Sequence, residues 1–348
     1  MFGREAASKP LLVVGSINAD LVVNVPRLPK PGETIQGSAL HVYAGGKGAN
    51  QAAAAARLDC PTFLVARAGQ DAYASLLQTS LTAAGVDTSL VSFAPGPSGT
   101  ALVLLQPGGE NSIVVVGGAN TSEDWVLTDA ATSAIQRAAA VLLQREIPDV
   151  VNLIFSKLAS AAGVPVLMDA GGAEAALDPS FLSTLALLSP NETELARLTG
   201  LPTRTEEQVL KAAQALGAQG VDRVLVKRGA DGCLLWDARA QTCTVQRAAH
   251  VPRVVDTTGA GDCFTAAFAV AQVRGMADQD ALRFATAAAA LCIQKKGAMP
   301  SLPSLREVEA EEQRLKAKES HRLASKKHGH KSKALPSVHE PASPGGFW

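Results

Sequence analysis

The apolar positions of this chain fall into short runs separated by stretches with helical spacing. Residues 11–17 (LLVVGSI) form a run that ends on a turn signal, which predicts a buried strand. Residues 21–25 make a second run, after which Pro26, Pro29, Pro31 and Gly32 break the chain into an irregular excursion. Residues 49–58 (ANQAAAAARL) are helical by propensity, residues 62–68 are apolar again, and residues 71–84 carry helical spacing. Residues 100–106 and 112–116 flank Pro107, Gly108 and Gly109 and predict a hairpin.

From residue 138 the alternation becomes regular: AAVLL, VPVLM, TLALL and DRVLV are strand-like, with helical stretches between them. Such alternation predicts an α/β fold, a mostly parallel sheet covered by helices on both faces. The early hairpins and the Pro/Gly excursion do not fit that core and predict a small β appendage. No fixed-period repeat is present. After Pro303 the composition shifts. Residues 305–320 (LREVEAEEQRLKAKES) are helix-supporting, with Glu312 four residues before Lys316. The remainder, to Trp348, is poor in large apolar residues and reads as disordered on composition.

The chain has 348 residues, enough for two domains, although α/β folds often carry this length in one. Hydrophobic residues make up 47%, ample for a large core. Lys+Arg and Asp+Glu are both 32, and this neutrality argues against a body built for nucleic acid or a membrane surface. The zero is a cancellation. The tail from residue 320 holds Arg322, Lys326, Lys327, Lys331 and Lys333 against Glu340, so the body is mildly acidic. Aromatic residues are few (Phe 9, Trp 3, Tyr 2), which disfavours base-stacking platforms. The five cysteines form no C-x-x-C pair and are odd in number, so neither a zinc ribbon nor a disulfide framework is indicated. With no apolar leader before Leu11 and no membrane-length apolar stretch, the expectation is a soluble intracellular protein.

Four segments carry candidate chemistry. Asp256-Thr257-Thr258-Gly259-Ala260-Gly261-Asp262 precedes an apolar helical run. Glycines there let a tight turn expose backbone N–H groups at a helix N-terminus, which suits an anion. Asp262 beside that anion could take a proton from a hydroxyl attacking a phosphoryl group. A glycine turn whose Asp merely caps the helix fits the segment equally well. Gly45-Gly46-Lys47-Gly48-Ala49-Asn50 also opens a helix. It is neither a Walker A loop nor a dinucleotide fingerprint, because Gly48 and Gln51 stand at the deciding positions. Close approach to a small polar ligand and a plain glycine connection both remain open.

Gly15-Ser16-Ile17-Asn18-Ala19-Asp20 ends the first strand, where ligands of open α/β sheets bind. Asn18 and Asp20 suit vicinal hydroxyls, and a solvated Asx turn is the alternative. In Pro190-Asn191-Glu192-Thr193-Glu194, Asn191 and Glu194 share a helical face and could orient a hydrated Mg²⁺, although an ordinary acidic helix start would look the same. Only His41 and His250 lie in the body, which leaves little for a Ser-His-Asp or His-rich metal site. Cys263 fits a packed helix face better than a reactive thiol.

In order and spacing, GSINAD, AGGKGANQA, PNETE and DTTGAGD resemble the ribokinase branch of the PfkB carbohydrate-kinase family, from about Leu11 to Pro303. The resemblance implies a Rossmann-like sheet with a β-sheet lid, the lid near residues 18–45 and 95–118 of a kinase domain at 11–303. Residues 1–10 would be an extension, 304–319 a C-terminal helix and 320–348 a basic tail. It implies ATP-dependent phosphorylation of D-ribose at O5, with Asp262 as base and an anion hole from Thr258 through Gly259, Ala260, Gly261 and Asp262. Asn18, Asp20, Gly46, Lys47, Asn50 and Glu146 would hold ribose. Asn191, Lys227, Gly229, Gly232, Gly261 and Thr286 would face ATP, and Glu194 would arrange Mg²⁺ through water. Asp256, Thr258, Cys292, Lys295, Gly297 and Ser301 match an activating K⁺ site, several through carbonyls alone.

The resemblance further implies a homodimer through the lid, a cytoplasmic location with a nuclear presence left open by the basic tail, and no nucleic-acid or membrane partner. Met168-Asp169-Ala170-Gly171-Gly172 departs from the usual Asn-Pro-Ala-Pro, Lys227-Arg228 from a more neutral pair, and Thr286 from Asn. These concern the nucleotide contacts. A kinase for 2-deoxyribose or another small sugar is the nearest alternative, because one hydroxyl contact decides it. A catalytically silent sugar-binding protein is a further one, against which Asp262 and its glycines stand.

Overall fold

In the computed structural model, residues 8–107, 110–122 and 124–329 are described. They form strands β1 Leu11–Val14, β2 Asn18–Asn24, β3 Ala39–Gly45, β4 Thr62–Gly69, β5 Val91–Ala94, β6 Gly99–Leu105, β7 Asn111–Val116, β8 Ala140–Leu143, β9 Val166–Asp169, β10 Leu187–Ser189, β11 Arg223–Lys227, β12 Cys233–Asp237 and β13 Thr242–Gln246. The helices are α1 Lys47–Arg57, α2 Ala74–Ala83, α3 Asp129–Arg137, α4 Asp149–Ala161, α5 Pro179–Leu182, α6 Glu192–Thr199, α7 Glu206–Ala218, α8 Ala260–Val273, α9 Asp278–Cys292 and α10 Leu305–Gly329. The apolar runs of the sequence thus become strands and the alanine-rich spacings helices, as their patterns predict.

The large sheet runs β13-β12-β11-β10-β9-β8-β1-β4-β5. From β5 to β11 every pair is parallel, and β12 and β13 add an antiparallel edge that the sequence reading did not anticipate. Both faces are covered, so strand residues alternate between two cores. Leu11 and Val13 pack with α1, α8 and α9, whereas Leu12 and Val14 pack with α3, α4 and α7. Helix α8 is buried from Asp262 to Val273, and its alanines let α1 and α9 approach closely.

Because β1 lies between β4 and β8, chain order reverses there, and a crevice opens at the carboxyl ends of β1 and β8. The second sheet, β3-β2-β6-β7, stands over that crevice; β2 and β6 are parallel and its outer pairs antiparallel. Its register puts Asp20, Tyr43 and Ala101 on one face and Leu21, Val42, Leu102 and Val114 on the other. The C-terminal helix α10 continues to Gly329, ten residues past the end expected at 319. No glycine or proline interrupts residues 305–328, so nothing in the chain stops the helix sooner. The rest of the basic tail lies outside the described residues. Among the described residues no helix is long and apolar enough to cross a membrane.

Candidate active site

The end of β1 and the start of α1 are knitted together at the switch point. Gly46 has φ +89°, and a Cβ there would lie 2.8 Å from the Asn18 nitrogen, so only glycine lets α1 start against β2. Glu146, just past β8, closes the same corner: it accepts from Ser16 Oγ at 2.6 Å and from the Lys47 backbone N–H at 2.9 Å. Asn18 is held by Asn120, whose Nδ2 donates to Asn18 Oδ1 at 2.7 Å and to the Ile17 carbonyl at 3.1 Å. That leaves the Asn18 amide N–H₂ to face the crevice as a donor. Asp20 stands beside it. Burial, together with the charges of Glu146 and Asp262, pushes its carboxyl up to about 7.

Asp262 lies in the first turn of α8, 5% exposed. The turn before it holds Gly259 at φ +77°, where an added Cβ would stand 2.9 Å from that of Ala298, and the Cys263 N–H donates to the Gly259 carbonyl at 2.8 Å to start the helix. The first-turn N–H groups of Gly261 and Asp262 have no preceding turn to bond and form a local positive pole. The Thr258 N–H is already given to Asp256 Oδ1 at 2.9 Å, so this donor points away from the expected anion hole. Asn50 Nδ2 donates to Asp262 Oδ2 at 3.0 Å and Gln51 Nε2 to Oδ1 at 3.2 Å, while Lys47 Nζ is 3.6 Å from Oδ1. Burial raises the Asp262 carboxyl above its usual range, and Lys47 opposes that rise. Asp262 therefore does more than cap a helix: its oxygens face three side chains of α1. Asn50 Oδ1, buried and without a partner among the described residues, is left for a ligand hydroxyl.

Lys47 lies between Asp262 and Asp169, 3.5 Å from Asp169 Oδ1. Burial lowers its affinity for the proton, but Asp169, Asp262, Glu146 and Glu194 outweigh this and keep the ammonium charged. Cys263 is fully buried. A hydrogen bond with Cys292 and burial hold its thiol well above the usual range, which removes the reactive-thiol alternative.

A cleft of about 700 Å³ runs from the α8 N-terminus toward β13. Lys227, Gly229, Gly232, Gly261 and Thr286 line it together with apolar Val251, Phe264 and Ile293, whereas Asn191 is not among its lining residues. Its polar mouth at the helix N-terminus and its apolar interior suit a phosphorylated ligand with a flat base. Asn191 forms an isolated parallel backbone bridge to Lys227. Asn191 and Glu194 form a reciprocal capping box, with both bonds at 2.8 Å, so the structural alternative for this pair is realised. The cap occupies Glu194 Oε2. Arg228 turns away from the cleft to pair with Glu206 at 2.9 Å.

Two loops meet beside the Gly259 turn. Asp256 staples them: Oδ1 accepts from the Thr258 hydroxyl at 2.7 Å and Oδ2 from the Gly297 N–H at 2.8 Å. The Cys292 carbonyl accepts from the Lys295 N–H at 3.1 Å, the Cys292 thiol meets Ser301 Oγ at 2.9 Å, and Lys295 Nζ points outward to Glu307 at 3.3 Å. Hard carbonyl, hydroxyl and carboxylate oxygens concentrate here, a donor set suited to a hard cation rather than a soft metal.

Sequence reasoning missed Ser16, Gln51, Asn120, Gln144 and Asp169. Gln144 Nε2 donates to Gln51 Oε1 at 2.8 Å and so orients the amide that holds Asp262. Both glutamines lie within or beside motifs already singled out, but Asn120 arrives from a 3₁₀ turn, Gly118–Thr121, with no signal of its own.

Residues 8–305 match the model of the pfkB family carbohydrate kinases. The chain is 47% identical over 309 residues to a ribokinase of Arabidopsis thaliana, covering 87% of this chain and 81% of that protein. It is 34% identical to a ribokinase of Haemophilus influenzae (86% and 97% covered) and 32% identical to a deoxyribokinase of Salmonella typhi (85% and 96%). Among solved structures, Arabidopsis thaliana ribokinase complexed with ribose and ATP superposes with a TM-score of 0.83, covering 88% of this chain and 99% of that one at 47% identity. A ribokinase from Thermotoga maritima gives 0.79 at 34% identity, with 87% and 99% covered.

Proposed function

The chain belongs to the pfkB family of carbohydrate kinases, and on that footing we propose that it transfers the γ-phosphoryl group of ATP to O5 of D-ribose. The observation that carries this reading is Asp262: a buried carboxylate on the N-terminal turn of α8, held by two amides and flanked by Lys47. A base is needed where a hydroxyl attacks, and an anion site is needed where the phosphoryl group passes. Both occur here within one helical turn.

In the proposed mechanism Asp262 accepts the O5 proton as the O5–P bond forms and the bond between the γ-phosphorus and ADP breaks. The Gly261 and Asp262 N–H groups, with that of Gly259, receive the charge spread over the transferring group, whereas the Ala260 N–H is already given to the Thr257 carbonyl at 3.2 Å. Asn18, Asp20, Gly46, Lys47, Asn50 and Glu146 bind ribose; Asn50 Oδ1 is free to accept a sugar hydroxyl. Lys227, Gly229, Gly232 and Thr286 position ATP along the cleft, with Asn191 beside Lys227. Mg²⁺, when bound, would neutralise phosphate charge, and the Glu194 oxygen outside the cap would order its water. The oxygens of Asp256, Thr258, Cys292, Lys295, Gly297 and Ser301 would hold K⁺, whose charge would fix the peptide dipoles behind Gly259.

The same reading includes a cytoplasmic homodimer joined through the second sheet, whose register gives an apolar outer face with Leu40 and Val114 each 62% exposed. The test is ATP consumption on a panel of pentoses and hexoses, including 2-deoxyribose, with and without K⁺. The expected result is turnover on ribose that K⁺ increases. Turnover on another sugar with none on ribose would overturn the assignment.

A further inference from the structure

Asp169 is the most buried charged group of the site, 0% exposed at the end of β9, and the mechanism above gives it no task. Apart from one bond from its own loop, its acceptor capacity is directed at groups around the α8 N-terminus. Oδ1 accepts from the Gly171 N–H at 3.0 Å and faces Lys47 at 3.5 Å. Oδ2 accepts from Thr265 Oγ1, one turn into α8, at 3.0 Å, and from Lys227 Nζ. The two lysines flank opposite sides of the turn. Lys47 is on the side of Asn18 and Glu146, 3.6 Å from Asp262, whereas Lys227 is on the cleft side, 3.9 Å from where a Cβ on Gly261 would stand. Asp169 and Lys227 also lie in two of the segments where the sequence departs from the motifs it resembles, and in the fold they form one ion pair.

We propose that Asp169 is a positioning residue: its buried carboxylate anchors Lys47 on the acceptor side and Lys227 on the donor side of the helix terminus, and so sets how closely Lys47 screens Asp262. This rests on the reading of Asp262 as the base. A buried carboxylate with two ammonium partners is held well below the usual range, because Lys227 and Lys47 outweigh the burial that pushes it up. It is therefore a fixed charge across the working pH range. Lys47, placed almost midway between two carboxylates, moves toward whichever loses its competitor. The charged and titratable groups facing Asp262 are Lys47 from α1, Asp169 at the end of β9, Glu146 after β8 and Asp20 from β2, with the Cys263–Cys292 thiol pair behind it.

The experiment compares pH profiles of kcat/KM for Asp169→Asn, Lys227→Met and the double variant. Asp169→Asn removes a repelling charge and releases Lys47 to Asp262, so the acidic limb moves down by about one pH unit. Lys227→Met leaves Asp169 to draw Lys47 away, so the limb moves up; in the double variant it returns toward the parent position. Each variant is melted to verify the fold, and if Asp169→Asn does not fold, Lys227→Met and the double variant decide. A residue with only a packing role would change melting temperature without moving the limbs, and unmoved limbs, or limbs moving together, overturn the proposal. A parallel Asp262→Asn that kept turnover would instead overturn the base assignment.

Discussion

Replacing Asp262 with Asn separates chemistry from architecture at this site. The new amide N–H₂ must face one of two donors, Gln51 Nε2 or Asn50 Nδ2, which bond the two carboxylate oxygens at 3.2 and 3.0 Å. Gln51 cannot turn over freely, because its Oε1 already accepts from Gln144 Nε2. Asn50 can, since its Oδ1 has no partner and would meet the new N–H₂ after a flip. Lys47 retains Asp169 at 3.5 Å. The fold therefore loses at most about one hydrogen bond, roughly 1 kcal/mol.

The catalytic loss is much larger. Positioned proton transfer contributes about 10²–10⁴-fold, or roughly 3–5 kcal/mol of barrier. The expected variant melts within a few degrees of the parent and binds ribose by calorimetry, but its kcat falls by about 10²–10⁴-fold in a coupled ADP-release assay. A kcat within tenfold of the parent, with the fold intact, would refute Asp262 as the base. A large loss of melting temperature would refute the hydrogen-bond argument instead.

Asp20 makes sugar binding and stability respond to pH in opposite ways. Its carboxyl is raised to about 7 in the fold, so ribose affinity falls as pH drops below that value and hydroxyl donors lose their acceptor, a trend that Asp20→Asn abolishes in calorimetric titrations. Between the unfolded value of 3.8 and about 7 the folded chain holds a proton that the unfolded chain lacks, so parent stability falls as pH rises through this window. Asp20→Asn should accordingly raise the melting temperature most above pH 7 and hardly at all near pH 4; an equal gain at both would contradict the raised carboxyl. The outer sheet face makes a third prediction. Leu102→Glu with Val114→Glu should convert dimer to monomer in light scattering with unchanged circular dichroism, and a parent that is already monomeric would remove the dimer reading.

Much of this molecule was legible along the chain because local physics writes itself locally. Short apolar runs became β1, β4 and β8 to β11, since a strand buried on both faces must be apolar throughout, and alanine-rich stretches became α1 and α8. The glycines of residues 45–48 and 259–261 marked tight turns at two helix starts, and the family resemblance singled out the neighbouring Asn50, Lys47 and Asp262 as candidate site residues. At Asn191 and Glu194 the sequence could not choose between a cap and a ligand site, and the fold makes the cap.

Only tertiary structure decided which of these groups meet. Asp169 and Lys227 are 58 residues apart, and Asn50 and Asp262 are 212 apart. No periodicity encodes such pairs, because they arise from β1 standing at the reversal of strand order and gathering the ends of β8, β9 and β11 around one helix terminus. The sequence by itself determined the elements and the residue types able to do phosphoryl-transfer chemistry. The tertiary structure alone determined the burial that raises Asp20 and Asp262, the two lysines that hold Asp169 charged, and the polar atom left open on Asn50. The physical reason is that desolvation and charge coupling depend on what surrounds a group in space, and chain order fixes that only after the sheet has assembled.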